Sequence, residues 1–308
     1  MNKYYFKNPR MLGDYFMRKT SPLWHSDKLY LKLRYYFNFG KKLNLENPVG
    51  FNSKCQWVKL FYHRPEMTIM VDKYEAKNWV AERIGSQHVV PCYGIWDNAD
   101  EIDFDILPNQ FVLKCTHGCG GHVICKDKSL LDIQKARDTM HNGLLKSTYM
   151  ETREWPYKNV KPRVIAEEYL VDDDSGVLTD YKFFCFDGVP KMMYVSKDGE
   201  HTPHTDFFDM DWNRLPLHMR DPNSEILPQK PNKFEEMKEI AQKLSAGFPH
   251  VRVDMYLVKD VVFFGEMTFF TLGGMIYFNP PSWDEIIGDW FKLPSKLFNT
   301  KELGNKSK

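Results

Sequence analysis

The spacing of apolar residues along the chain changes near residue 89. Before that point apolar residues recur every three or four positions, which is typical of amphipathic helices. Three helices are predicted there, and their starts are marked by polar caps: Ser26, Asn52 or Ser53, and Asp72 in a capping box with Glu75. The first helix is predicted to end at Gly40 and the third at Gly85.

After residue 89, short alternating runs predict β-strands. The predicted strands cover 89–95, 111–115, 122–125, 164–171, 181–186, 190–195, 251–258 and 261–267. The dipeptides Asp187-Gly188 and Lys259-Asp260 predict tight hairpin turns. Helices are predicted at 129–146 and 234–244, and 203–231 is predicted to be irregular. The order of helices, a small hairpin-rich lobe and a larger antiparallel lobe predicts an α+β protein, with the lobe boundary near 163–168.

Composition and charge exclude several classes of protein. Apolar residues make up 43% of the 308 residues, which excludes a globally disordered chain. A net charge of +1 argues against a basic coat protein, and we expect no nucleic-acid partner. Six cysteines without a CxxC pair, and an N-terminus without an apolar signal core, favour the reducing cytoplasm. The apolar run 261–278 contains Glu266 and two glycines, so we expect a strand and a turn there and no transmembrane segment.

The first 43 residues are locally basic, with ten Lys or Arg against two Asp. A solvated helix face explains this excess, and so does attraction to a polyanionic substrate or to an anionic membrane surface. We expect a docking element in which Lys28, Lys32 and Arg34 capture an anionic acceptor, with the catalytic machinery starting near Asp72.

The segment FVLKCTHGCGGHVI, residues 111–124, predicts a strand, a glycine-rich turn and a return strand. Its glycines would let backbone amides approach phosphate oxygens, and Lys114 would add positive charge at the mouth of the turn. The spacing is that of neither a P-loop nor a Rossmann turn, and a plain hairpin that needs glycines for its geometry is the alternative. A zinc site is a further alternative, although the spacing of its candidate ligands fits no standard zinc motif: Cys115, His117, Cys119, His122 and Cys125.

Asp254 and Glu266 lie on the two strands of one predicted hairpin. With a turn at 259–260 they are near-opposite and can share a face, toward which Arg252 would also point. Two carboxylates on a buried face repel each other unless a cation lies between them, and magnesium prefers such oxygen ligands. The alternative is a metal-free ion-pair cluster of the same three side chains.

Other acidic groups carry weaker signals. Glu167 and Glu168 end an apolar strand at the lobe junction, and Asp180 shares a strand face with Lys182. The tripeptide 209–211, Asp-Met-Asp, has the pattern by which glycosyltransferases hold a metal on a nucleotide sugar, but acidic turn residues explain it as well.

Taken in order, these segments resemble the TupA-like ATP-grasp family, which is named for teichuronopeptide biosynthesis and occurs in cell-surface polysaccharide clusters. The resemblance spans roughly residues 51–293 and rests on FNSKCQWVKL, VDKYEAK, LPNQFVLKCTHGCGGHVICKDK, REWPYKNVKPRVIAEEYL, DYKFFCFDG, DFFDMDWNRLP, GFPHVRVDMY and FFGEMTFF. It implies an ATP-grasp fold whose two α+β lobes clamp ATP. The implied parts are a helical N-terminal segment (1–71), a small lobe with the phosphate loop (72–165), a large lobe with the magnesium site (166–300) and a loose tail (301–308).

The resemblance also implies roles for single residues. The implied nucleotide-binding positions are Lys73, Lys114, Thr116, Gly118, Gly120, Gly121, Glu167, Glu168, Leu170, Asp180 and Lys182. Among these, 116–121 would close over the phosphates and 167–170 would form the hinge at adenine. The implied magnesium ligands are Asp254, Glu266 and Thr268, and Thr268 stands where many relatives carry Asn. Arg252 and Lys182 would be catalytic, Arg252 by steadying an acyl phosphate.

The implied activity is that of an ADP-forming carboxylate–amine ligase that uses ATP and Mg²⁺. ATP would convert a carboxylate into an acyl phosphate, which an amine then attacks to give an amide. A uronic acid of a surface polysaccharide precursor would be the acyl partner and an amino acid the amine, with peripheral association with the membrane-bound polysaccharide machinery. The rival hypotheses are a metal-dependent glycosyltransferase that uses a nucleotide sugar, and a non-catalytic carbohydrate-binding protein.

Overall fold

The structure, a computed structural model, describes residues 9–118, 121–171, 178–197, 204–219 and 221–294. Nine α-helices occur in these ranges and are numbered α1 to α9 in chain order. They are Pro9–Lys19, Asp27–Phe39, Phe51–Phe61, Glu66–Val71, Glu75–Ile84, Ile133–Leu144, Thr148–Thr152, Phe234–Ser245 and Trp283–Trp290. No helix in the described ranges is long and apolar enough to cross a membrane.

The strands form two antiparallel sheets, numbered β1 to β9 in chain order. The strands are Cys92–Trp96, Phe111–Cys115, His122–Cys125, Val164–Glu168, Thr179–Phe186, Val189–Lys197, Thr205–Asp209, Val251–Val258 and Val261–Thr268. The smaller sheet has the order β1-β4-β2-β3 and the larger has the order β7-β6-β5-β8-β9. Helices followed by two separate antiparallel sheets confirm the α+β class predicted from the sequence.

The two predicted hairpins are confirmed. Asp187 and Gly188 have φ of 50° and 76°, and Lys259 and Asp260 have φ of 49° and 60°. Left-handed conformation at both central residues is the geometry of two-residue hairpin turns, because its twist matches that of the flanking strands. The run 261–278 is also as predicted, since it consists of β9 followed by a 3₁₀ turn at Thr271–Gly274.

Helix starts were predicted with mixed success. Ser26 caps α2 by accepting from the Leu29 N–H at 3.3 Å, as expected. The cap predicted for α3 at Asn52 or Ser53 is wrong, because α3 begins at Phe51 and both residues lie inside it. The Asn52 N–H instead donates to Asp284 Oδ1 on α9 at 2.9 Å. A cap supplied from more than two hundred residues away leaves no local signal in the sequence.

The capping box of α5 is half formed. Asp72 Oδ1 accepts from the backbone N–H groups of Tyr74 and Glu75, as a capping residue does. The Glu75 side chain does not reach back to Asp72, because its Oε1 pairs with Arg163 at 2.9 Å. Arg163 also binds Asp72 Oδ2 at 2.9 Å, so one guanidinium links both acids to the strand β4 that follows it.

The sequence missed several elements. The undetected ones are α1, α4, α7, α9 and β7. Strand β7 lies inside the stretch 203–231 that was predicted to be irregular, and it pairs with β6 at the edge of the larger sheet. A five-residue edge strand followed by prolines gives too short an alternation to be recognised. The predicted strand 164–171 and helix 129–146 are also shorter in the structure.

Each sheet has its own apolar core. The smaller sheet packs against α6, with Phe111, Leu113 and Met140 fully buried. The larger sheet packs against α8 through Phe183, Phe234 and their neighbours. Buried residues of three earlier helices belong to this second core as well: Phe51, Cys55 and Val58 of α3, Met67, Met70 and Val71 of α4, and Ala76 and Val80 of α5. Helices that precede both sheets in the sequence therefore complete the core of the larger sheet.

Candidate active site

A row of charged side chains crosses one face of the larger sheet. Lys182 on β5 pairs with Asp254 on β8, and Asp254 pairs with Glu266 on β9. Directly paired residues of antiparallel strands point to the same face, so all three side chains share it. Arg252 donates to both oxygens of Asp254 at 2.6 Å, and Lys182 Nζ lies 3.2 Å from Asp254 Oδ2 and 3.0 Å from Asp180 Oδ1.

A β-bulge at Gly265 puts Glu266 into this row. The pairing runs Val258 with Val261 through Met255 with Phe264, and then steps to Asp254 with Glu266. An unbulged ladder would set Asp254 against Gly265 and turn Glu266 to the opposite face. A side chain at 265 would crowd the Asp254 carbonyl oxygen, since an added Cβ would lie 3.1 Å from it. The extra glycine therefore gives the site its second carboxylate.

Asp254 is held as an anion between two cations. The side chain is buried, and burial raises the pKa of a carboxyl, but Arg252 and Lys182 outweigh burial and hold the pKa of Asp254 below its usual range. Burial likewise opposes the charge on Lys182, whose pKa is nevertheless raised by Asp254 and Asp180. The expectation that Asp254 is destabilised by repulsion from Glu266 is therefore wrong, because Asp254 already has two cationic partners.

Glu266 and Arg252 have further polar neighbours. The Tyr157 hydroxyl is 3.5 Å from Glu266 Oε1, and Lys73 Nζ is 3.6 Å from its Oε2. Arg252 donates to the hydroxyl oxygen of Thr268 at 3.0 Å and to that of Thr271 at 3.2 Å. Two threonines and Asp254 thus fix the plane of the guanidinium.

The glycine-rich loop that follows β2 is tied to this row through Lys73. Its backbone N–H donates to the Thr116 carbonyl at 3.1 Å, and its Nζ donates to the Gly118 carbonyl at 3.2 Å. A Cβ at Gly118 would collide with Thr148 Oγ1 and force that hydroxyl to rotate away, and Gly121 has φ of 77°. Both glycines therefore serve the geometry of the loop, as the plain-hairpin alternative proposed. Gly120 lies outside the described residues.

Lys114 pairs with Glu167, an acid of the predicted hinge. Its Nζ is 2.9 Å from Glu167 Oε2, and Lys77 Nζ is 2.5 Å from Oε1 of the same carboxylate. Burial raises the pKa of a carboxyl, but the two lysines hold the pKa of Glu167 below its usual range. Sequence analysis missed Lys77, although it lies four residues after Lys73, a spacing that places neighbours on one side of a helix.

A polar face of α3 holds the turn that follows β9. Asn52 exchanges two hydrogen bonds with the backbone of Ile276, at 2.9 and 2.7 Å. Gln56 Nε2 donates to the Gly274 carbonyl at 2.8 Å, and Lys59 Nζ donates to the Gly273 carbonyl at 2.7 Å. The spacing of i, i+4 and i+7 puts the three side chains on one face of the helix. We call this set the α3 clamp.

The clamped turn has a left-handed backbone. Leu272, Gly273 and Gly274 have φ of 50°, 66° and 63°, and Leu272 is exposed. Left-handed backbone at Leu costs roughly 1–2 kcal/mol, so the contacts around the turn must impose it. On its other side the turn meets Arg252 through Thr271, and α3 therefore fixes one wall of the site.

Lys59 is buried beside a second buried charge. Burial lowers the pKa of Lys59 to about 8, and Glu154 opposes this shift. Burial in turn raises the pKa of Glu154. Sequence analysis did not single out either residue, or Asn52 and Gln56 as parts of the site. The available signal was a set of polar residues at helical spacing in an otherwise apolar helix.

A model of the TupA-like ATPgrasp family matches residues 53–292. The chain belongs to this family. The match covers both sheets, the glycine-rich loop, the charged row and the α3 clamp from Gln56 onward. The ATP-grasp fold predicted from the sequence is confirmed.

Solved structures of other ATP-grasp proteins resemble this family member at low sequence identity. D-alanine–D-alanine ligase from Bacillus anthracis complexed with ATP is 14% identical, with a TM-score of 0.38, over 65% of this chain and 53% of that chain. The D-cycloserine synthetase DcsG is 17% identical, with a TM-score of 0.40, over 79% and 78% of the two chains. This chain thus spans about half the length of the ligase structure. A comparison with curated proteins finds no match.

Several other residues with predicted roles toward the nucleotide have polar or backbone contacts within the protein. Glu168 donates its backbone N–H to the Pro91 carbonyl at 3.0 Å, and Leu170 follows the end of β4. Asp180 is buried beside Lys182. Their roles toward adenine, ribose and phosphate remain predictions, as do the roles of Asp254, Glu266 and Thr268 toward magnesium. The lobe divisions at residues 71 and 165 also remain predictions.

The residues proposed for the rival sites have structural partners. Asp209 Oδ1 accepts from the backbone N–H groups of Asp211 and Asn213 at 3.0 and 2.8 Å, so the Asp-Met-Asp segment is a turn stabilised by its first acid. Cys115 and Cys125 donate to carbonyl oxygens near opposite ends of the β2–β3 pair. Among the residues the structure describes, no three His, Cys, Asp or Glu side chains are placed to hold a metal ion together, and Cys119 lies outside them.

Proposed function

We propose that the protein is an ADP-forming ligase that uses ATP to join a carboxylate to an amine. The observation that carries this proposal is the row of Lys182, Asp254 and Glu266 with Arg252, joined by Lys73 to a glycine-rich loop in a member of an ATP-grasp family. The row offers acids for a metal and cations for phosphate. Such a combination suits phosphoryl transfer, in which the protein chiefly positions the reactants and neutralises charge.

The residues present fit magnesium and ATP. Asp254, Glu266 and Thr268 offer hard oxygen donors, which Mg²⁺ prefers, and a small number of protein carboxylates commonly suffices when phosphates complete the set. Asp254 and Glu266 would hold the ion. Bound magnesium would neutralise charge on the phosphates.

The side chains themselves have distinct tasks. Lys73, Lys114 and Lys182 would bind phosphate oxygens, which requires Lys114 to exchange its contact with Glu167 for one with the nucleotide. Arg252 is permanently charged and is fixed by Asp254, Thr268 and Thr271, so it would stabilise the charge that develops at the acyl group. Closure of the loop over the phosphates would exclude water from the activated carboxylate.

The substrate proposal follows from the resemblance to proteins of teichuronopeptide and surface polysaccharide biosynthesis. We propose a uronic acid of a polysaccharide precursor as the acyl partner and an amino acid as the amine. We place the reaction in the cytoplasm, where ATP and activated sugar precursors are available, with peripheral association with the membrane-bound polysaccharide machinery.

Product mass spectrometry tests the proposed function. The protein is incubated with ATP, Mg²⁺ and pairs of uronic acids and amino acids, and ADP release is measured in parallel. We expect a product whose mass is the sum of the two substrates less one water, with one ADP per product. A protein that binds a nucleotide sugar and releases nucleoside diphosphate without using ATP would be a glycosyltransferase, and the proposal would be abandoned.

Replacing Lys114 should weaken the binding of ATP much more than the binding of adenosine. Loss of one charge-assisted contact with phosphate lowers affinity by roughly tenfold to a hundredfold, whereas adenosine offers no phosphate. Calorimetry on Lys114→Ala measures both ligands. The fold should survive because Glu167 keeps Lys77 as its partner. Lys135→Ala, an exposed lysine on α6, is the matched control. Equal losses for ATP and adenosine would contradict the phosphate contact.

A further inference from the structure

Tyr194 on β6 extends the charged row by one strand. It pairs with Lys182 on β5 and with Phe207 on β7. Directly paired residues of antiparallel strands point to the same face, so the Tyr194 side chain lies on the face of the row. The row therefore presents polar side chains from Glu266 on β9 to Tyr194 on β6 and becomes apolar at Phe207.

The ring of Tyr194 is fixed by its neighbours. Its centroid is 6.0 Å from the ring centroid of Phe184 and 5.1 Å from that of Phe207. The guanidinium carbon of Arg252 lies over the ring, 5.8 Å from its centroid, which is within the range of a cation–π contact. Only 8% of the residue is exposed. All these contacts belong to the ring, so the packing of Tyr194 needs no hydroxyl.

The hydroxyl of Tyr194 has no hydrogen-bond partner in the described parts of the chain, and it keeps contact with solvent. The hydroxyl of the buried Tyr30, by contrast, donates to the Glu151 carbonyl at 2.9 Å. Largely buried tyrosines usually direct their hydroxyl to a partner, because desolvating it without one is unfavourable. The Tyr194 hydroxyl is therefore open to a molecule that binds above the row.

Two cations beside Tyr194 also have donors to spare. Arg252 has five N–H groups and makes four hydrogen bonds within the described residues. Lys182 has three N–H groups and pairs there with two carboxylates, those of Asp180 and Asp254. Burial raises the pKa of Tyr194, against the opposing effect of both cations, so its hydroxyl stays neutral and can donate. Three adjacent donors suit an oxygen that carries negative charge.

The place of Tyr194 in the sheet separates it from the proposed phosphate contacts. Lys73 ties the glycine-rich loop to Glu266, at the β9 end of the row. Tyr194 lies three strands away from β9, and strands are about 4.8 Å apart, so its backbone is about 14 Å from that of Glu266. Phosphates held by Lys73 and the loop would occupy the β9 side of Lys182, and the hydroxyl would meet what lies on the other side.

We propose that the Tyr194 hydroxyl binds an anionic oxygen of the carboxylate substrate, beside Arg252 and Lys182. The proposal rests on the proposed ligase function, in which that carboxylate receives the phosphoryl group. It makes Tyr194 a specificity-determining residue, because a substrate with an uncharged group in place of the carboxylate would lose the charge-assisted part of the contact.

Tyr194→Phe tests the proposal, because it removes the hydroxyl and keeps the ring. ADP release is measured at saturating ATP and magnesium, with D-glucuronate or D-galacturonate and the amino acid that gives a product in the mass-spectrometry screen. We expect an unchanged melting temperature and an unchanged kcat, with the KM for the uronic acid raised roughly tenfold to a hundredfold. Tyr36→Phe, which removes an exposed hydroxyl from α2, is the matched control and should change none of the three quantities.

Failure of this contact and failure of the ligase function give different results. ADP release by the unmodified protein, with an unchanged KM in Tyr194→Phe, would overturn the contact alone. Absence of an ATP-dependent product with every pair would overturn the proposed function and the contact with it. Calorimetry with ADP and with the ATP analogue AMP-PNP covers the phosphates. A loss of affinity for AMP-PNP only would put the hydroxyl on the γ-phosphate, which would also overturn its assignment to the carboxylate.

Discussion

Asp254→Asn should abolish ADP release and lower the melting temperature, whereas Glu266→Gln should abolish ADP release and leave the melting temperature nearly unchanged. Asp254 is buried between Arg252 and Lys182, and its neutralisation leaves two half-buried cations without their shared partner. Breaking a buried ion pair in this way costs about 3–5 kcal/mol. Glu266 is partly exposed, and its nearest cation, Lys73, is 3.6 Å away, so its loss should cost less than about 1 kcal/mol.

The measurement is a thermal melt without nucleotide beside an ADP-release assay with magnesium. Asp211→Asn is the control, since this exposed acid lies in the Asp-Met-Asp turn and should affect neither quantity. A glycosyltransferase that uses that turn would show the reverse pattern, with activity lost at residue 211 and kept at 254. Wild-type ADP release by Asp254→Asn or Glu266→Gln would remove that residue from the proposed metal site.

A chain that begins at residue 72 should fail to fold. The deletion removes Phe51, Val58, Met67, Met70 and Val71, which are buried in the core of the larger sheet. Burying a large apolar side chain contributes about 1.5–3 kcal/mol, so the five together contribute about 10 kcal/mol. The whole stability of a domain is about 5–15 kcal/mol. Without these helices the larger sheet therefore lacks the core that it needs for a stable fold.

A chain that begins at residue 49 is the matched comparison. It loses α1 and α2, whose buried cluster of Met17, Tyr30 and Leu31 is separate from the large core, but it keeps α3 and α4. We expect a cooperative melt at a lower temperature, with ATP binding retained. Circular dichroism and calorimetry on both truncations measure this difference. A folded, ATP-binding product from residue 72 would show that the helices are accessory, as the sequence-based hypothesis supposed.

The hairpins and the charged row were predictable because their signals are local. Asp187-Gly188 and Lys259-Asp260 specify their turns, and counting outward from the second turn brings Asp254 close to Glu266. Counting along a regular hairpin sets Gly265 opposite Asp254, which is one residue short of Glu266. Only the bulge completes the pairing, and a bulge depends on the twist of the assembled sheet.

The remainder of the site depends on contacts between distant parts of the chain. The α3 clamp joins residues 52–59 to 273–276, and Lys182, one of the two cations on Asp254, comes from β5. No propensity or periodicity encodes such pairings, because the polar side chains involved are indistinguishable from surface residues until the helix is packed. For the same reason Arg34 was assigned to a docking face although it is buried against Asp14.

The α3 clamp also bears on how this active site could be re-engineered. The turn at 271–274 follows β9 and carries the exposed Leu272, so it is an obvious segment to exchange when a different substrate is wanted. Its carbonyl groups, however, are matched to side chains from a helix more than two hundred residues earlier. A grafted turn of another length would remove the acceptors that Gln56 and Lys59 have in this turn, and would leave Lys59 with the Thr152 carbonyl and Gln56 with the Asn52 carbonyl. An engineered exchange of this turn should therefore replace α3 at the same time, although the two segments are far apart in the sequence.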